Sequence, residues 1–194
     1  MKLQYLREPF PHVIYHDVFT DGELDAIWKE LEFFDGKYPD LEHSGTGKEE
    51  NGDYKGVKEA LWLSGFGQVP YEKFSIVEAI RMALYVFDGA QWEDKWIGDM
   101  WRSTTHDDVL VCKYPDGGYH TPHRDKATFT NFVWVHKEPK TFYGGNLYFP
   151  EYDNYQIKVE NNKAVSIISS TMHGVSPIRG DGRYCLSNFM TIEP

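Results

Sequence analysis

The stretch YPDGGYHTPHRD, residues 114 to 125, sets His120, His123, Asp116 and Asp125 around a Pro-Asp-Gly-Gly turn. Neutral ring nitrogens beside anionic oxygens are what a divalent metal ion requires. His123 and Asp125 form a His-X-Asp pair, and on a strand the i and i+2 side chains share a face, so both can reach one ion. The same spacing recurs at His106 and Asp108, and with glutamate at His136 and Glu138. Context separates the three. His123 and Asp125 lie beyond a glycine-rich turn that ends the apolar segment DVLVCKY, at a strand mouth where loops carry function. His106 and Asp108 precede that strand, and Asp107 to Asp108 reads as a solvated strand entry.

A third ligand has to come from a distant strand. His173, in SSTMHGVSP, follows the apolar run AVSIIS and precedes Gly174. Two histidines and one carboxylate with open coordination positions suit non-haem Fe(II), whereas zinc more often brings thiolates or a third nitrogen. Arg183, in GDGRYCLSNFM, opens a predicted buried strand. A guanidinium there is costly unless paired, and its fork suits a carboxylate brought by a ligand. The bland readings are that His120 is a neighbour of the site, Arg179 an exposed turn residue, and Gly144 and Gly145 turn formers. Phe129, Phe132, Trp134 and Tyr148 read as core or pocket wall.

The elements that must position these residues follow from periodicity. An apolar run from Val13 to Phe19 predicts a strand. Thr20 and Glu23 form a capping box, after which Leu24, Ile27, Trp28 and Leu31 recur at helical spacing. A second helix is predicted over 72 to 87, with Phe74, Val77, Ile80, Ala83 and Leu84 on one face. Residues 35 to 58, rich in Gly, Asp and Glu, predict a mobile loop or lid; EDKWIGDMWRS has no assigned type. From Asp108 onward short strands alternate with turns, which predicts an antiparallel sandwich or barrel with the helices packed outside.

Composition bounds the partners. The 194 residues, 41% hydrophobic and 16% aromatic, predict one domain over 1 to 194. A formal charge of −10 with no run of Lys and Arg disfavours nucleic acid and leaves a basic peptide or a small molecule. The two cysteines, and the lack of a leader-like or membrane-length apolar stretch, predict a soluble cytoplasmic protein with no membrane partner.

Four segments, in order, resemble the 2-oxoglutarate and Fe(II)-dependent dioxygenases, specifically the prolyl 4-hydroxylase-like group: VIYHDVFTDGELDAI, YPDGGYHTPHRD, YGGNLYFPE and STMHGVSPIRGDGRYCLSNF. The resemblance spans most of residues 10 to 192 and is weakest over 35 to 70. It implies a mainly β fold, a distorted double-stranded β-helix (the cupin-like jelly roll) flanked by N-terminal helices. It implies that His123, Asp125 and His173 bind iron as the catalytic centre and that Arg183 pairs with the distal carboxylate of 2-oxoglutarate. Tyr114, Ser187 and, more loosely, Trp134 would complete the cosubstrate contacts. O2 is the implied co-reactant, with ascorbate as a reductant.

The implied activity is hydroxylation of an unactivated C–H, favouring a prolyl residue in a peptide or protein, with release of succinate and CO2. Many prolyl 4-hydroxylases carry lysine at the Arg183 position, so that residue does not fix the substrate. A free amino acid or other small metabolite is the alternative substrate. A cupin-like metal-binding module without turnover is a further alternative, against which Arg183 argues; a nucleic-acid demethylase is disfavoured by the charge.

Overall fold

The computed structural model describes residues 1–44, 46–48 and 50–192; the predicted 35–58 lid therefore falls outside the described residues at Gly45 and Glu49. Three α-helices precede most of the strands. The first, α1 (Asp21–Phe34), starts at the predicted capping box, where the Glu23 amide donates to the Thr20 hydroxyl and the Glu23 carboxylate accepts from the Thr20 amide. It buries Ile27, Leu31 and Phe34. Helix α2 (Ser75–Leu84) has its first amides, of Ser75 and Ile76, donating to Glu30 of α1. The helix predicted over 72 to 87 is thus shorter, with single 3-10 turns at Tyr71–Lys73 and Tyr85–Phe87. The unassigned segment EDKWIGDMWRS holds α3 (Lys95–Arg102), started by Asp94, whose carboxylate accepts from the Trp96 and Ile97 amides.

The strands form two facing antiparallel sheets and a small two-stranded one. The large sheet runs β1 (Lys2–Leu6), β2 (His12–His16), β11 (Lys163–Ile168), β7 (Phe129–Val135), β14 (Arg183–Thr191), β5 (His106–Tyr114), β4 (Glu59–Trp62). The smaller sheet runs β10 (Tyr155–Ile157), β9 (Leu147–Phe149), β12 (His173–Val175), β6 (Tyr119–His123), β3 (Gly56–Val57). A final pair joins β13 (Ile178–Gly180) to β8 (Phe142–Gly144). This is the mainly β, helix-flanked double-stranded β-helix that the resemblance implies. The strand predicted from Val13 to Phe19 is β2, preceded by the unpredicted β1, and it ends at His16 because Asp17 turns the chain through a positive φ of 52°.

Parity along the large sheet decides what each residue meets. On β14, Tyr184, Leu186 and Met190 pack in the layer under the helices with Ile27, Leu31 and Ile80. The alternate residues Arg183, Cys185, Ser187 and Phe189 line the space between the sheets. On β7, Val133 and Val135 face the helices while Phe132 and Trp134 face inward. A sheet covered on both faces explains why its strands read as nearly unbroken apolar runs. No described helix is long and apolar enough to cross a membrane.

Candidate metal centre

His173, first residue of β12, is the direct register partner of His123, last residue of β6. The two imidazoles therefore meet across one strand pair, their ring centroids 4.5 Å apart. Each is aimed the same way. His123 Nδ1 bonds the Thr121 carbonyl at 2.9 Å and His173 Nδ1 bonds the Thr171 carbonyl at 2.9 Å. A carbonyl can only accept, so both Nδ1 atoms carry the proton and both Nε2 lone pairs face the centre.

Asp125 is placed differently from the expectation. β6 ends at His123, so Asp125 does not share a strand face with it. The carboxylate is held instead by the loop and the opposite sheet. Its amide donates to the Ser169 carbonyl at 3.1 Å, and the Thr130 hydroxyl donates to Oδ2 at 2.7 Å. Asp125 Oδ1 and Oδ2 then stand 3.4 Å from His123 Nε2 and from His173 Nε2 respectively. One ligand atom from each of the three residues lies within 4.8 Å of the others, a spacing that suits a single ion.

Electrostatics keeps the set ready to ligate. Burial pushes His173 down to about 4, Asp125 partly opposing, which leaves the imidazole neutral at pH 7. Burial alone would raise the Asp125 carboxyl, but the hydrogen bond with His123, the nearby His173 and the Thr130 hydroxyl outweigh it and hold the value below the carboxylate norm. Buried His120 stacks on His123 at 4.1 Å between ring centroids, and burial together with nearby Lys58 and His123 lowers it to about 3. It lies beside the set without joining it.

A narrow inner cavity runs from the three ligands to Arg183, with Tyr114, Trp134 and Ser187 on its walls. Arg183 is 1% exposed; its guanidinium lies over the Tyr114 ring at 4.3 Å, and Nε donates to the Gly145 carbonyl at 3.0 Å. Gly145 is therefore more than a turn former. A Cβ there would meet Arg183 Cδ and Nε at 2.7 Å, and its φ of 68° favours glycine. No carboxylate pairs with Arg183 among the described residues, and Nη1 has no hydrogen-bond partner. Trp134 Nε1 and His173 Nε2 are likewise buried without a hydrogen-bond partner. Three such atoms around one cavity fit a metal and a polar, acidic ligand, because unmet buried polar groups are costly.

The other sequence candidates go elsewhere. His106 and Asp108 lie within β5 rather than before it, and Asp107 between them is no solvated entry: its side chain, 6% exposed, pairs with Arg81 and accepts from Tyr85 and Asn188. His136 is buried beside Glu138, away from the ligand set. Arg179 is exposed, though on β13 rather than a turn. Phe132 packs edge-on against His173, Phe129 joins the helix-side core, and the Tyr148 ring covers Gly174. Sequence reasoning missed Thr130 and Ser169, which fix Asp125. It also missed the repeated Thr-X-His of TPH and TMH, whose threonine carbonyls orient both histidines.

No family model matches the chain, and no curated protein does. Solved structures do. A Pseudomonas putida prolyl 4-hydroxylase superposes with a TM-score of 0.61 at 14% identity, covering 94% of this chain and 93% of that one. A prolyl hydroxylase from Trichoplax adhaerens, in complex with a hypoxia-inducible-factor peptide fragment, gives 0.63 at 13% identity over 93% and 83%. A Burkholderia pseudomallei oxidoreductase of the 2-oxoglutarate-Fe(II) oxygenase family gives 0.62 at 11% identity over 94% and 85%. The chain thus has the fold of the 2-oxoglutarate-Fe(II) oxygenases, prolyl 4-hydroxylases among them, with a His-Asp-His set inside it.

Proposed function

We propose that this protein is an Fe(II)- and 2-oxoglutarate-dependent dioxygenase that hydroxylates an unactivated C–H bond, with release of succinate and CO2. The observation that carries the reading is the inner cavity, where a His-Asp-His set at one end faces an uncompensated buried guanidinium at the other. His123, Asp125 and His173 would hold the metal, and Arg183 a carboxylate of the cosubstrate, with Trp134 Nε1 and the Ser187 hydroxyl as further donors. Iron with bound cosubstrate and O2 supplies the oxidising chemistry. The protein's part is positional. Thr130 fixes the carboxylate, the Thr121 and Thr171 carbonyls fix the imidazoles, and the Phe132, Leu147 and Val175 walls exclude water.

A prolyl residue in a peptide is the substrate favoured by likeness to the prolyl hydroxylases, one of them solved with a peptide. A small molecule is the second reading, favoured because Gly47 and Lys55 of the 35–58 segment wall the cleft outside the ligand set. The test is succinate formation by protein loaded with Fe(II) without oxygen, then exposed to 2-oxoglutarate and O2 with ascorbate present. Prolyl peptides and free amino acids are compared, and products are weighed for one added oxygen. Succinate formation no greater than that of His173→Ala would sink the assignment.

A further inference from the structure

Outside the ligand set the chain forms a cleft of about 670 Å³, a size typical of small-ligand sites. The cleft and the inner cavity share a neck formed by Lys58, Leu110, His120, His123, Asp125 and Phe189. Among the described residues Lys58 is the only lysine or arginine there. It sits between β3 and β4, half-buried, and no carboxylate pairs with it among the described residues. Lys55 and Lys126 line the outer cleft, also without an ion pair among the described residues, whereas Arg124 is held by Glu151 and the Ser170 carbonyl.

The carboxylates lining the cleft beyond the ligand set do not answer these lysines. Asp107 is bonded to Arg81, Tyr85 and Asn188, and Asp108 accepts from the Ser64 hydroxyl. Beyond the ligand set, three lysines of the cleft without an ion pair among the described residues therefore stand against one carboxylate, Asp108, that no lysine or arginine pairs with, so in a chain of net charge −10 this lining carries an excess of positive charge. Like charges sharing a concave, partly dry surface repel, and an anionic ligand relieves them. Beside them Trp62 and Phe189 pack at 5.3 Å between ring centroids, an apolar floor for the rest of a ligand.

We propose that the substrate carries a carboxylate which Lys58 receives at the neck, Lys55 and Lys126 drawing it in, while its apolar part rests on Trp62 and Phe189. This rests on the oxygenase reading and names its substrate class. It reverses the basic-peptide expectation drawn from net charge. The carboxylate belongs either to a free acid or to a peptide, as an acidic side chain or C-terminus.

Calorimetric titration of Mn(II)- and 2-oxoglutarate-loaded protein under anaerobic conditions tests it. One pair of probes is N-acetyl-L-proline and its amide; the other is a prolyl peptide flanked by Glu and the same peptide flanked by Gln or Lys. The two pairs distinguish the sources. The expected result is that at least one acid binds about tenfold or more tightly than its neutral match, the scale of one charge-assisted bond. Added salt narrows the gap. Lys58→Gln erases it with the neutral probe unchanged within about twofold, and Lys58→Arg restores most of it.

The proposal is overturned if neutral or Lys-flanked probes bind as well as the acids, if no acid binds at millimolar concentration, or if Lys58→Gln keeps the gap. Tighter, salt-sensitive binding of a single-stranded oligonucleotide overturns it too. The oxygenase reading fails separately, in a preceding titration, if the metal-loaded protein does not bind 2-oxoglutarate; the acid preference is then read on the Mn(II)-loaded protein with the same probes and variants.

Discussion

At the scale of single residues, the ligand set depends on neighbours that touch no metal. The Thr130 hydroxyl bridges Asp125 Oδ2 and the Ser169 hydroxyl, both at hydrogen-bond distance. Thr130→Val keeps the shape and removes the donor, so the carboxylate is free to turn. Metal affinity should fall about 10- to 100-fold with the fold intact, read by Co(II) or Mn(II) titration beside a circular dichroism spectrum; unchanged affinity would show that the loop alone orients Asp125. Arg183 makes a second case. Lysine keeps the charge but loses the fork, the stacking on Tyr114 and the bond to Gly145. Arg183→Lys should weaken 2-oxoglutarate binding about tenfold or more, and Arg183→Gln more again. Equal affinity in all three would remove Arg183 from the site.

At the scale of elements, the strand alternation of β14 and the turn after β8 jointly set the cosubstrate end of the cavity. Residues 183, 185, 187 and 189 face inward because their parity opposes that of the helix-packed Leu186 and Met190. Gly145 gives Arg183 room and accepts its Nε proton. Gly145→Ala should cost about 1 to 3 kcal/mol in denaturant unfolding, through the positive φ and the clash, and weaken 2-oxoglutarate binding at the same time. A stability loss with no change in cosubstrate affinity would separate the turn from the site. That RYCLSNFMTI forms a strand was legible in the sequence. The short strands β3, β6 and β12 were not, since two to five residues beside glycine and proline carry too little pattern to separate strand from loop.

At the scale of the whole molecule, burial lowers His12, His120, His136 and His173 and so makes stability depend on pH, with His120 and His173 shifted far enough to set the main slope. His173 titrates near 4 and His120 near 3 in the folded protein, against 6.5 for an unburied imidazole. The unfolded chain therefore binds more protons as pH falls below about 6.5. The stabilisation of the neutral rings is complete above that value and is lost on acidification towards the folded values, by roughly 1.4 kcal/mol per pH unit per histidine at most. Denaturant midpoints of metal-free protein should fall from pH 6.5 towards 4, and His120→Asn should flatten the slope. A flat wild-type profile would mean that neither ring is kept neutral by burial.

The sequence by itself determined the ligand types, the capped first helix and the order of the long strands. Each of these is a local matter: residue chemistry, a three-residue cap, or a period of two. His123, Asp125, His173 and Arg183 were legible because few side chains ligate metals or fork onto carboxylates, and each stood beside a turn or at a strand start. Only the tertiary structure decided how they meet. Register pairs His123 with His173 across β6 and β12, and a hydroxyl from β7 fixes Asp125 in place of the strand face expected for it. Charge shows the same division. Lys55, Lys58 and Lys126 lie apart in a chain of net charge −10, so composition averages them away. Folding brings β3, β4 and the loop after β6 around one cleft, and there local field depends on distance rather than on totals.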